Sequence, residues 1–228
     1  MKKLFFIANW KANKNTQEMY SWFISFFSQS FIEYIHAEEN THDKKIIICP
    51  PFPILSDASE YLSRYKAKIP VSLGAQTIAS IDSGAYTGEV TGHMLEGLVR
   101  YVLIGHSERR QLGETDAEIE KKVEQARAHN IEPILCVQSI HTPIPAGTHI
   151  VAYEPVESIG TGSPDTPEHA NEVAEYFKEE KNILYVLYGG SVSKSNVHNF
   201  IKMEYLNGVL VGGASLDPDT FSDIVRKA

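Results

Sequence analysis

YVLIGHSERRQLGETDAEIEKKVEQARA, Tyr101 to Ala128, contains one complete unit of the fold. Its first four residues are apolar without alternation. That pattern predicts a strand covered on both faces, the usual state in a parallel sheet. Its last part, Asp116–Ala128, places acids early and bases late, which suits a helix dipole. The next apolar run, Ile134–Val137, follows shortly after. A strand, a helix and another strand of this kind make a βα repeat.

The same alternation recurs along the chain. Apolar runs stand at Leu4–Ala8, Ile46–Cys49, Val71–Ala75, Tyr101–Ile104, Ile134–Val137, Ile150–Tyr153, Leu184–Leu187 and Val209–Val211. Between them lie predicted helices. One opens at Thr16, with Glu18 in its first turn, and continues through the aromatic stretch Met19–Ile35. Others are Asp57–Tyr65, Thr91–Arg100, Asp116–Ala128, Ser195–Ile201 and Asp219–Arg226. Thr166-Pro167-Glu168 reads as a helix start, a capping hydroxyl before proline, and that helix runs to about Glu180. Strands alternating with helices predict a parallel sheet, and 228 residues suit a (β/α)8 barrel formed as a single domain over residues 1–228. The doubly wound competitor expects a Gly-rich fingerprint after its first strand; Asn9-Trp10-Lys11 stands there instead. One crossover is unlike the rest. QSIHTPIPAGTH, Gln138 to His149, carries two prolines and a glycine, so the helix of the fifth crossover is predicted to be missing.

Net charge is −8 and the isoelectric point is near 5.6, which gives no reason to expect nucleic acid as a partner. An anionic substrate must then be attracted locally. Cys49 and Cys136 sit in apolar runs without metal-ligand spacing and read as buried free thiols of a reducing compartment. The apolar start of MKKLFFIANWK is cut short by Lys11, which argues for a strand over a signal peptide. No segment is apolar for long enough to span a bilayer, so the cytoplasm is the expected location and no membrane is expected as a partner.

In a barrel of this type the functional groups gather where the strands end. Those positions hold Asn9 and Lys11, then Gly105-His106-Ser107-Glu108, then Glu154, then Gly189-Gly190-Ser191, and last Gly212-Gly213. The segments NWK (from Asn9), GAYTGE (from Gly84), GHSERR (from Gly105), YEPVESIGTG (from Tyr153), YGGSV (from Tyr188) and LVGGASL (from Leu210) occur in this order. Together they closely resemble the motifs of the triosephosphate isomerase family, over nearly the whole chain from Asn9 to Ser215. No single segment is specific; the set in register is.

The resemblance implies interconversion of dihydroxyacetone phosphate and D-glyceraldehyde 3-phosphate through an enediol(ate), in glycolysis and gluconeogenesis, with no cofactor and no metal. It implies Glu154 as the base. A dry, well-placed carboxylate can take a proton from one carbon and return it to the next. His106 becomes the electrophile, since a helix starting at Ser107, a plausible cap, disfavours a protonated ring. Lys11 would stabilise the developing oxyanion, with Asn9 positioning the site and Glu108 pairing the lysine. Gly160, Ser191, Gly212 and Gly213 match the phosphate-binding positions, where glycines let backbone N–H groups approach an anion. Pro155, Val156, Glu157, Ser158, Ile159 and Gly160 match a closing lid, and Leu210 the apolar residue that presses on the base. The long connection Ala75–Gly88 matches a dimer loop, with Thr87 approaching Asn9 and Lys11 of a partner in a homodimer.

Two departures stand out. Glu157 occupies a lid position that is tryptophan in the family, and Gln138-Ser139 replaces Gly-Glu. Two rival readings are weighed: a barrel isomerase for another phosphorylated sugar or amino-sugar, which the phosphate glycines alone would allow but the set of Lys11, His106 and Glu154 excludes, and a binding protein that has kept the fold without turnover, which the presence of those three groups disfavours. His93 and His129 fall in helical segments and receive no role.

Overall fold

The computed structural model describes residues 2–37, 43–64, 71–155 and 165–228. Eight parallel strands close a barrel in sequence order. They are β1 (Lys3–Asn9), β2 (Asp43–Cys49), β3 (Val71–Ala75), β4 (Tyr101–Ile104), β5 (Glu132–Val137), β6 (Ile150–Tyr153), β7 (Tyr185–Tyr188) and β8 (Leu206–Val211). The helices outside them are α1 (Thr16–Phe26), α2 (Gln29–His36), α3 (Leu55–Ser63), α4 (Gly92–Leu95), α5 (Ser107–Gln111), α6 (Asp116–Ala128), α7 (Pro167–Lys181), α8 (Val197–Ile201) and α9 (Pro218–Arg226).

Each strand is buried on both sides, and its side chains sort by parity. Phe5, Ile7, Ile47, Cys49, Tyr101, Leu103, Ile134, Cys136, Ile150, Ala152, Leu187 and Leu210 fill the barrel interior. The alternate residues, such as Leu4, Phe6, Ile46, Ile48, Leu135 and Val151, meet the helices. Continuing the inward series by one step places Asn9 after Ile7 and Glu154 after Ala152 at the C-terminal mouth. On β3 the inward position is Gly74, where a Cβ would stand 2.7 Å from Cys49 Sγ; the next inward residue is Gln76.

The aromatic first segment forms two helices where one was predicted. The first opens at Thr16 as predicted, and Asn15 caps it in a reciprocal capping box with Glu18. The helix stops at Phe27, and Ser28 starts α2 in a new direction. The break lets Phe26 reach both Phe31 and Phe221, at ring-centroid distances of 4.6 and 5.7 Å. The predicted helix Thr91–Arg100 shrinks to α4, because Gly97 turns the chain at φ +78°. The predicted helix Asp57–Tyr65 begins two residues earlier, at Leu55, and Tyr65 lies outside the described residues.

β8 starts three residues before its predicted start, and the reason is local. Gly208 adopts φ +139° with its Cα pressed on β1, where a Cβ would lie 2.0 Å from Phe5 O. The β7–β8 register shifts there. Asn207 fills the gap in the ladder: its Oδ1 accepts from Val186 N at 3.3 Å and its Nδ2 donates to Lys3 O at 3.3 Å. A polar residue and a glycine hide a strand from any hydropathy reading.

No helix intervenes between β5 and β6 in the fully described stretch 138–149, as the prolines predict. Ile140 and Ile144 pack against the outer core in its place. Thr142 Oγ1 accepts from Gln138 N and Ser139 N, both at 3.2 Å, and Arg127 Nη1 donates to Gly147 O at 2.7 Å. The short crossover is therefore hydrogen-bonded to itself and to the end of α6.

Candidate active site

At the C-terminal mouth a cavity of about 300 Å³ is lined by Asn9, Lys11, His106, Ser107, Glu154, Gly189–Val192, Leu210 and Gly212–Ala214. Eight of the sequence-predicted site residues thus share one wall-to-wall space: Asn9, Lys11, His106, Glu154, Ser191, Leu210, Gly212 and Gly213. Glu108 flanks it, and Pro155 is buried directly after Glu154. Val156, Glu157, Ser158, Ile159 and Gly160 lie outside the described residues. Thr87 is exposed on the connection between β3 and α4.

Glu154 is only 1% exposed. Its Oε2 accepts the Ser107 backbone N–H at 2.9 Å, and its Oε1 lies 3.1 Å from His106 Nε2. Burial pushes its carboxyl above the ordinary range; His106, the Ser107 amide and, last, Lys11 oppose that shift. The room for this side chain comes from Gly189, where a Cβ would meet Glu154 Cγ at 2.9 Å. Below it sits Cys136, whose thiol is pushed well above its usual pKa, first by burial and then by the Glu154 carboxylate. The carboxyl group thus rests on an uncharged floor.

His106, and not Ser107, caps α5: its Nδ1 accepts from Glu108 N at 3.2 Å. An Nδ1 that accepts carries no proton, so the ring's single proton sits on Nε2, aimed at Glu154. Lys11 Nζ pairs with Glu108 Oε1 at 2.6 Å. Its backbone is left-handed, φ +53°, a conformation that costs a β-carbon residue on the order of 1 kcal/mol. Two side chains hold it there. Asn9 Oδ1 accepts Lys11 N at 3.0 Å, and Gln76 Nε2 donates to Lys11 O at 2.8 Å and Cys49 O at 2.9 Å.

Gln76 and Ser107 are the residues that sequence reading missed. Parity could have found Gln76, two residues after the inward Gly74. Ser107 acts through its amide, which no residue type announces. Opposite the acid, Gly212 is followed by a tight turn over Gly213–Ser215, with Ser215 N and Oγ both donating to Gly212 O, at 2.8 and 2.7 Å. A Cβ at Gly213 would meet nothing within 4 Å, so the backbone there borders open space.

The family model of triosephosphate isomerase matches residues 4–143 and 141–228. The chain belongs to the triosephosphate isomerase family. The triosephosphate isomerase of Nostoc punctiforme is 36% identical, covering 99% of this chain and 98% of that one. That of Aquifex aeolicus is 38% identical, covering 96% of each. The crystal structure of triosephosphate isomerase from Bartonella henselae aligns at TM-score 0.80 with 27% identity, over 99% of this chain and 98% of that one.

The raised Glu154 pKa has a kinetic consequence. A general base works ionised, and the acid limb of kcat/KM reports its pKa in the free enzyme. Isomerase activity is therefore expected to fall to half, as pH is lowered, at a value above the ordinary 4.5. A limb centred at or below that value would mean that the working carboxylate is solvated.

Proposed function

We propose that this isomerase interconverts dihydroxyacetone phosphate and D-glyceraldehyde 3-phosphate in the cavity between Lys11, His106 and Glu154, by proton transfer through an enediol(ate). The observation that carries the reading is a buried carboxyl group 3.1 Å from the His106 ring nitrogen Nε2. Glu154 leaves the Ser107 amide, takes a proton from the carbon beside the carbonyl and returns it to the neighbouring carbon. His106 Nε2–H donates to the carbonyl oxygen as charge develops there. The Lys11 ammonium stabilises that charge, with Asn9 and Gln76 holding its backbone and Glu108 its Nζ. The phosphate sits against the amides of Ser191, Gly212 and Gly213, and Leu210 presses on the base.

The chain acts as one domain over residues 1–228, in the cytoplasm and within glycolysis and gluconeogenesis. Among the described residues no helix is long and apolar enough to cross a membrane. It works as a homodimer. Residues 82–89 form a continuous exposed excursion between β3 and α4, with Tyr86 54% exposed, and Thr87 at its tip reaches the partner's Asn9 and Lys11.

A turnover assay on both triose phosphates tests the reaction. Glu154→Asp withdraws the carboxylate by about 1 Å and is expected to lower kcat on the order of a hundredfold; a near-normal rate would point to another base. The assembly is checked by sedimentation under assay conditions, where a dimer is expected and a fully active monomer would contradict it.

A further inference from the structure

A second set of ligating groups stands on the outside of the barrel. One nitrogen or oxygen from each of His93, Glu96 and His129 lies within 4.8 Å of the others. His93 lies on the single turn of α4, and Glu96 is the residue that caps its C-terminal end. His129 is the C-cap of α6, which packs beside that turn. We propose that these three residues bind one divalent transition-metal ion of the zinc type.

The chemistry selects the ion. Two imidazoles and one carboxylate suit zinc and its neighbours, whereas calcium and magnesium take oxygen ligands. With bonds of about 2.0–2.2 Å, tetrahedral ligand atoms stand about 3.4 Å apart. His129 Nδ1 and Glu96 Oε2 already stand 3.4 Å apart. His93 and Glu96 are exposed, so rotation about their own side-chain bonds closes the remaining gap.

Two further features point to His129 as a prepared ligand. Its other nitrogen, Nε2, faces Asp82 Oδ1 at 3.6 Å. A carboxylate beside the second nitrogen is the usual partner of a metal-bound imidazole and helps to orient the ring toward the metal. The ring is also wedged against α4, where a Cβ on Gly92 would stand 2.3 Å from His129 Cδ2. Finally, α4 and α6 both end at this point, and the C-termini of helices favour a cation. Bound metal would tie the exposed connection carrying Asp82 to the two helices. The site is independent of the isomerase cavity, since none of its residues lines it.

The experiment is calorimetric titration of zinc into the chelator-treated full chain, alongside the variants His93→Ala, Glu96→Gln and Asp82→Asn. The parent is expected to bind one zinc and to gain melting temperature with it. His93→Ala and Glu96→Gln are expected to lose saturable binding while keeping isomerase activity and the circular dichroism of the parent. Asp82→Asn is expected to weaken binding about tenfold. An absence of saturable binding by the parent would overturn the proposal. So would binding that survives His93→Ala and inhibits isomerisation, since that ion would sit at His106 and Glu154. Unchanged affinity in Asp82→Asn would overturn the place of Asp82 as the orienting carboxylate.

Discussion

Burying a carboxylate at the end of β6 costs several kcal/mol in effective desolvation, and the mouth of the barrel is arranged around that cost. Glu154 receives one backbone N–H, from Ser107, and faces one ring nitrogen, on His106. These partners stop short of neutralising it: its pKa stays raised by burial. A carboxylate bound more generously would be a weaker base, and one left in water would be an ordinary acid. The balance leaves a carboxyl group that holds a proton more readily than an exposed one would.

The neighbours are placed by the same geometry. Parallel strands with period-two side chains bring Asn9, Gln76 and Glu154 to one level of the barrel without any dedicated loop. The chain then spends backbone strain where a charge must be aimed. Lys11 is held left-handed by Asn9 below and Gln76 beside it, so its ammonium projects over the cavity toward Glu108. Glycines supply the opposite quality, which is room. Gly189 admits Glu154, and Gly212 admits the stem of Lys11, whose Cε would lie 3.3 Å from an added Cβ. By contrast, the outer ring is dispensable at one place. Loss of a helix between β5 and β6 is covered by Ile140, Ile144 and a turn capped by Thr142, and the site is untouched.

Much of this could be read before any coordinates. Continuous apolar runs mark strands buried on both faces, and the prolines of residues 138–149 mark the missing crossover helix. Lys11, His106 and Glu154 are visible as polar groups at the ends of such runs. What stayed hidden shares one property: it depends on backbone rather than residue type. The Ser107 amide, the left-handed Lys11 and the Gly208 bulge are backbone facts. Likewise the break at Phe27 is decided by which aromatic rings can meet across α1, α2 and α9, a tertiary choice that overrides a continuous helical pattern. The proximity of His93 and His129 is hidden for a related reason, since it arises between two helices distant in sequence.

The central claim is that Glu154 moves a carbon-bound proton that can mix with water. The direct measurement is proton NMR of dihydroxyacetone phosphate incubated in D2O with the enzyme and with Glu154→Gln. The account expects the enzyme to replace one hydrogen on the carbon bearing the hydroxyl with deuterium as isomerisation proceeds, and Glu154→Gln to leave the substrate undeuterated. Isomerisation without deuterium uptake, or uptake that persists in Glu154→Gln at the parent rate, would contradict it.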